Sequence, residues 1–299
     1  MFHAAGAPSP PPPPPRRRRA RPEVRLLALD MDGTLLDSSS RVLPSSVDAI
    51  RAALGCGVTV VLATGKARPA AIKAMRAVGL AGEGLVVSRG GPGIFLQGLT
   101  VYGAGGALIG GGSLPPEVVR AAWAYSAAAG VALCGFLGET CVTPGMTPEI
   151  RSLHDRYYEP LADVAPSVDR VLAGPPLRKL LFMTTAARVD AEVRPHWEAA
   201  LAAGGGAAAT MQAVPDMLEV VPAGWDKWAA MQRLLRHLGV PREALMAVGD
   251  GGNDLSLVRN AGLGVAMGNA VGEVRAAAAA TVASNDEGGV AEAIERYIL

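Results

Sequence analysis

Three short apolar runs constrain this chain more than any other feature: LLALD (residues 26–30), VVLATG (60–65) and LMAVGD (245–250). Each stays apolar until its last positions, as a strand covered on both faces does, and each then ends in a polar group. After the first comes LPSSVDAIRAALGCG, with serine caps, Val47, Ile50 and Leu54 on one face, and glycines to stop it, which predicts a helix. RPAAIKAMRAVGL predicts a second helix behind the second run. Strand and helix alternating at this spacing predict an α/β fold on a doubly wound parallel sheet with right-handed crossovers.

The pattern breaks and then resumes. Residues 93–221 hold Gly-rich turns (VYGAGGALIGGGSLPP), a helix around Pro115–Ala129 and strand-like KLLFMTT and MLEVV, which predicts an inserted α+β unit. Beyond it, WDKWAAMQRLLRHLG is a helix with Trp228, Met231, Leu234, Leu235 and Leu238 at apolar positions. ALMAVGD is then a strand, NDLSLVRNAG a helix and LGVAMGN a strand. The expected organisation is therefore a core of residues 24–92 and 222–299, an insert of residues 93–221, and a segment of residues 1–23 apart from both.

That first segment is rich in Pro and Arg, cannot build a core, and is expected to be disordered. It has the Arg excess and scarcity of acids of an organelle transit peptide, but it is short and poor in Ser. Residues 1–25 hold six arginines and one glutamate, so the rest of the chain, with 22 basic and 26 acidic residues, is mildly acidic. A body of that charge makes no general electrostatic claim on nucleic acid or an anionic membrane. The longest charge-free stretch, AAWAYSAAAGVALCGFLG, is too weakly apolar for a membrane span and reads as a helix leading into a strand. Cys56, Cys134 and Cys141 lack metal-type spacing and read as reduced thiols. A soluble protein of the cytoplasm or chloroplast is expected.

Ligands of open α/β sheets bind just outside the carboxyl ends of the strands. Asp30, Asp32, Thr64 and Asp250, distant in sequence, are thus expected to converge in one crevice. Asp30 and Asp32 lean to the same side of extended backbone and repel unless a cation or a shared proton intervenes. With Asp250 they form a set of hard oxygens suited to Mg²⁺. One Asp could then act as nucleophile while its neighbour moves protons. Gly33 permits a sharp turn that brings backbone N–H groups toward an anion. Lys227 sits in the first turn of its helix, where a cation opposes the macrodipole, so a phosphate to balance would explain it. Asn253 and Asp254 open the next helix, another place that favours anions.

Competing motifs fail on spacing. DMDG as the start of a calcium loop requires Glu at its twelfth position, where Arg41 stands. ATGK as a nucleotide loop requires Gly where Val60 stands, and GLGVAMG misses the dinucleotide spacing. His3, His154, His196 and His237 share no metal-ligand spacing, although His154 could face a substrate from the insert.

Taken together, DMDGTLLD, VVLATGK, the DK before an amphipathic helix and GDGGNDLSLVRNAGLGVAMGNA resemble the haloacid dehalogenase superfamily. More narrowly they resemble its Cof-type phosphatases, which carry an α/β cap inserted into a Rossmann-like core. The resemblance spans residues 24–299 and includes the closing VASNDEGGVAEAIERY. GPGIFLQGLTVYG resembles the plant and algal branch, in which such a domain is also found joined to a chloroplast RNA-maturation endonuclease. That enzyme's His-rich metal motif has no counterpart here, so nuclease activity is not expected.

The resemblance implies a Mg²⁺-dependent phosphatase acting on a small phosphorylated metabolite, such as a sugar phosphate or flavin precursor. Asp30 would attack phosphorus and form an aspartyl-phosphate, and Asp32 would serve as acid and base. Thr64, Lys227 and Asn253 would hold the phosphate. Asp30, the carbonyl of Asp32, and Asp250 would bind Mg²⁺, with Asp254 supporting them. The sequence departs from the family pattern in lacking an SNGA-like stretch before the cap, in Lys66 where Arg is commoner, and in Trp225 and Trp228 flanking Lys227. A phosphosugar mutase of the same superfamily and a non-catalytic phospho-ligand-binding domain are the competing functions.

Overall fold

The computed structural model describes residues 23–212 and 214–299. The disorder expected of residues 1–23 falls almost wholly outside them. The strands are, in chain order, Leu26–Leu29 (β1), Thr59–Leu62 (β2), Gly93–Phe95 (β3), Thr100–Tyr102 (β4), Leu108–Gly110 (β5), Ala132–Phe136 (β6) and Cys141–Thr143 (β7). Then follow Asp163–Val164 (β8), Lys179–Met183 (β9), Ala208–Met211 (β10), Met217–Pro222 (β11), Leu245–Gly249 (β12), Leu263–Ala266 (β13) and Ala280–Thr281 (β14).

The expected parallel sheet is present, with strand order β14-β13-β12-β1-β2. Its interior strand β1 pairs in parallel with β12 (Leu26 beside Leu245) and with β2 (Leu26 beside Thr59). The apolar runs are continuous because both faces are covered. Leu27 and Leu29 pack in one cluster with Val47 and Ile50 of the helix Pro44–Gly55 and Ile294 of the helix Gly289–Tyr297. Leu26 and Ala28 point the other way, onto Met231, Leu234 and Leu235 of the helix Lys227–Leu238. One correction is local: Leu43, not a serine, is the N-cap residue of Pro44–Gly55, and no side chain caps it. Pro44 starts this helix, its fixed φ and missing N–H suiting the first position.

Residues 93–110 form a three-stranded antiparallel sheet, β3-β4-β5, and side with the core. Ile94 bridges to Ala63 at the end of β2, and Ile94 and Val101 share the cluster of Leu26, Ala28 and Met231. The remaining part of the interruption has its own sheet, ordered β10-β11-β9-β6-β7-β8 and antiparallel except between β7 and β8. Because side chains alternate across a strand, this sheet has two distinct faces. Leu180, Phe182, Leu218 and Val220 pack under the helices Pro116–Ala129 and Arg194–Ala203, against Trp123 and Trp197. Leu181, Met183, Met217 and Val221 lie on the opposite face, with Ala67, Leu96 and Leu99 of the core. That second face meets the edge of the parallel sheet where β1, β2 and β12 end.

Trp197 is fully buried against Phe182, with ring centroids 5.1 Å apart. Trp197→Ala is expected to destabilise the protein by about 3–5 kcal/mol, the usual cost of a large aromatic removed from a core. The shift of the urea unfolding midpoint measures it.

Candidate active site

The three runs deliver their polar ends to one cavity of about 640 Å³, bordered on the core side by Asp30, Asp32, Lys66, Asp250 and Asn253. The Asp30 N–H still donates to Val248 O of β12 at 3.1 Å, so its carboxylate is placed by the sheet itself. The carboxylate is nearly sealed from solvent and meets the ammonium of Lys227 at 2.8 Å. Lys227 Nζ reaches Asp254 at 2.6 Å as well. At the start of the Lys227 helix it is Asp226 that accepts the Ala229 N–H, at 2.7 Å. The cap is thereby satisfied, and Lys227 is free to turn inward.

Asp254 is completely enclosed. Its second oxygen accepts the N–H groups of Asp250 and Gly251 at 3.0 and 3.1 Å, which fixes the turn after β12. Asp250 in turn accepts the hydroxyl of Thr34 at 2.7 Å. Gly33 has φ of +77°, and a Cβ there would collide with the Asp250 carboxylate, so only glycine lets the Asp32 turn approach this closely. Asn269 holds the same turn by donating to Gly33 O at 2.8 Å.

Electrostatically this is a concentration of negative charge short of partners. Oxygens of Asp30, Asp250 and Asp254 lie within 4.8 Å of one another, and Lys227 is the cation between them. Burial, then the charge of Asp254, holds the Asp30 carboxyl well above the usual carboxylate range despite Lys227. Burial likewise pushes Asp250 up to about 6. Burial pulls the Lys227 ammonium down, but Asp254 and Asp30 outweigh it, so its pKa rises and it stays charged. Asp30 and Asp250 each bond through one oxygen and keep another, so the donor set fits a hard divalent cation such as Mg²⁺. Asp254 has both oxygens engaged and fits a supporting place instead.

The other candidates fall differently. The Asp32 carboxylate stands outside the three-acid cluster, 56% exposed, and pairs with Lys66 at 3.0 Å. Thr64 is fully buried, and its hydroxyl accepts the Lys66 N–H at 3.2 Å, so Gly65 and Lys66 form the cavity wall beside it. Asn253 donates to Gln97 at 2.9 Å. These two also border a smaller hollow of about 200 Å³ with Lys227. His154 is not on the cavity wall; it bonds the carbonyl of Glu159 at 2.8 Å.

Several site residues escaped the sequence reading: Thr34, Gln97, Glu159, Lys179 and Glu219, and Lys66 was noted there only as a departure from the family pattern. Gln97 takes φ of +60° in the turn after β3, a conformation rarely adopted outside glycine and held here by enclosure. Glu159 reaches from the insert to the core, accepting the Ala67 N–H at 3.2 Å, and Lys179 Nζ lies 3.4 Å from Gly65 O. Both insert residues thus touch the loop that follows β2. A faint signal existed for Lys179 and Glu219, each a lone charge in an otherwise apolar strand.

The family model of the haloacid dehalogenase-like hydrolases matches residues 27–294. The chain belongs to this family. It is similar to the chloroplastic endoribonuclease YBEY of Arabidopsis thaliana, 40% identical over 277 residues, which are 93% of this chain. The match covers 47% of that protein, so the chain spans about half its length. It is 28% identical to an HMP-PP phosphatase of Serratia proteamaculans over 84% of this chain and 86% of the relative. Among solved structures, a haloacid dehalogenase-like hydrolase of Bacteroides thetaiotaomicron superposes with a TM-score of 0.79 at 27% identity, covering 92% of this chain and 99% of that one. The Cof-type, phosphatase-like character inferred from the motifs accords with these relatives, and the Arabidopsis match accords with the plant branch. No helix among the described residues is long and apolar enough to cross a membrane.

Burial raises Glu159 from the usual 4.5 to about 7, against the charges of Lys179 and Lys66. A carboxyl whose folded pKa is raised costs nothing below its unfolded value, and folding stability is lost as pH climbs toward the folded one. In Glu159→Gln that loss is absent. Urea unfolding in chelator at pH 4.5 and pH 8 is expected to show the variant gaining on the native chain by about 3 kcal/mol at the higher pH. A gap that does not change with pH would contradict the burial argument.

Proposed function

We propose that the chain is a phosphomonoesterase for a small phosphorylated metabolite, working through an aspartyl-phosphate on Asp30. The observation that carries this reading is the position of Lys227, clamped between Asp30 and Asp254 beneath the cavity. A nucleophilic carboxylate must be ionised although buried, and Lys227 opposes the burial that would neutralise it. One carboxylate oxygen of Asp30 attacks phosphorus. When bound, Mg²⁺ between Asp30, the Asp32 carbonyl and Asp250 would draw charge from the phosphoryl oxygens and lessen the repulsion among the acids.

The remaining roles follow from placement. Asn253, fixed by Gln97, offers its amide to the phosphoryl group, and Thr64 and Lys227 complete the pocket beneath it. Asp32 is the acid that protonates the leaving oxygen and later the base that activates water. To do so it turns away from Lys66, and its exposure leaves room for that rotation. The insert acts as a cap, while residues 93–110 stay with the core. The relatives' names support a phosphorylated small molecule as substrate, and the Arabidopsis relative's chloroplastic name supports that compartment.

Phosphate release from a panel of metabolite monoesters, with Mg²⁺ and with chelator, tests this. The native chain is expected to turn over at least one ester only with the metal, and Asp30→Asn to lose about a thousandfold or more in kcat, as removed nucleophiles do. Substantial turnover by Asp30→Asn would assign the attack elsewhere.

A further inference from the structure

The insert is tied to the core by two short connections, and one indole lies where they meet. The first connection leaves β5 at Gly110, which still pairs with Val101. It has joined the insert by Leu114, whose N–H donates to Leu177 O at 2.8 Å. Between these points Gly112 O accepts from Arg178 Nη1, beside β9, at 3.0 Å. The second connection leaves the insert at Ala223, whose N–H donates to Ala207 O at 3.0 Å, and reaches the core at Asp226, the cap of the Lys227 helix. Only Gly224, with φ of +76°, and Trp225 lie between. Short connections of this kind are where a rotation between two units is absorbed. A Cβ on Gly112 would stand 2.8 Å from the Trp225 indole and 3.1 Å from the Pro222 ring, so the indole can seat only against a glycine. From the other side, the Arg233 guanidinium of the Lys227 helix lies 4.8 Å from the centre of the Trp225 ring, within cation–π range. The indole also packs on the cluster in which Leu96 and Leu99 of the core meet Leu181 and Val221 of the insert. Trp225 does not border the cavity, so it offers a substrate no contact.

Resting on the reading of the insert as a cap, we infer that Trp225 is a positioning residue. Its indole, held by Arg233 on the core and set against Gly112 on the insert side, is the stop that fixes the angle at which the insert closes. A large rigid ring among close-packed neighbours transmits a position rather than yielding to it. Because Trp225 immediately precedes the Asp226 cap, that angle is referenced to the same helix start that carries Lys227. The closed angle brings Glu159 onto the Ala67 N–H and Lys179 onto Gly65 O. Without the stop, the insert swings about Gly112 and Gly224 and the closed arrangement is less populated. A ligand that needs closure then binds more weakly in proportion.

Hydrogen exchange at the Ala67 amide reads closure in the free chain, because its acceptor is a side chain of the insert. Trp225→Ala is expected to speed that exchange by about tenfold or more while the amides of β1 and β12 keep their rates. Trp225→Phe, which keeps a flat ring on Gly112, is expected to stay close to the native chain. Gly112→Ala puts a methyl group where the indole sits and is expected to speed Ala67 exchange as well. In the Trp225→Ala background the same methyl group has the indole's room, and its effect is expected to vanish. An unchanged Ala67 rate in Trp225→Ala, an acceleration shared equally by β1 and β12, or effects of the two substitutions that simply add, overturns the inference. Where an ester is turned over, Trp225→Ala is expected to raise KM by about tenfold with kcat kept within about twofold. A fall in kcat at the native KM overturns the positioning role. If no ester is hydrolysed, the phosphatase reading fails, while the exchange rates still decide what Trp225 does.

Discussion

Lys227 ties the ends of two neighbouring strands to the start of its own helix. Its ammonium joins Asp30, at the end of β1, to Asp254, in the turn that follows β12. Asp254 then orders that turn by accepting two backbone N–H groups, and Asp250 is positioned as a consequence. A buried ion pair of this kind is weak evidence for stability, because desolvation offsets much of the attraction. An arrangement of one cation under three acids contributes little to folding. What it does provide is a fixed carboxylate at the mouth of a strand, with Lys227 opposing its neutralisation by burial, and a cluster of acids that a divalent ion can balance.

The parallel sheet and the insert divide the work in a way that their strand patterns explain. The sheet is buried on both faces, so its side chains are committed to packing and only its carboxyl edge is free for chemistry. The insert sheet has one face under helices and the other over that edge. Its second face can therefore mix apolar residues with charges at the cost of little stability elsewhere. Lys179 and Glu219 use that freedom. They alternate with Leu180, Leu218 and Val220 in strands that otherwise read as core.

This division also decides what could be read from the sequence. The parallel core was legible because unbroken apolar runs ending in polar residues have few other meanings, and Lys227 stood out by opposing its helix dipole. Asp30 and Asp250 could be grouped because strand ends share an edge, whereas Asp254, read as opening the next helix, takes the place in the cluster that Asp32 was expected to hold. Gln97 could not, because its role depends on a left-handed turn that no composition signal marks. Residues 93–110 looked like part of the insert since their short strands and glycines differ from the core pattern, yet Ile94 and Val101 are drawn under the Lys227 helix. Glu159 was hidden for a different reason. It follows an ordinary amphipathic helix, and only the tertiary fold reveals that its carboxylate crosses to Ala67.

Those crossing bonds tie the two units through one short loop. Glu159 accepts from Ala67, Lys179 lies against Gly65 O, and between them Lys66 holds Asp32. The same four-residue stretch, Thr64–Ala67, therefore carries the buried Thr64 hydroxyl, the partner of Asp32 and the anchor points of the insert. Because Lys179 also grips Glu219, a ligand that engages the far wall acts on a side chain already touching this loop. The far wall and Asp32 are thus linked through the contacts of Glu219 with Lys179, of Lys179 with Gly65 O, and of the adjoining Lys66 with Asp32.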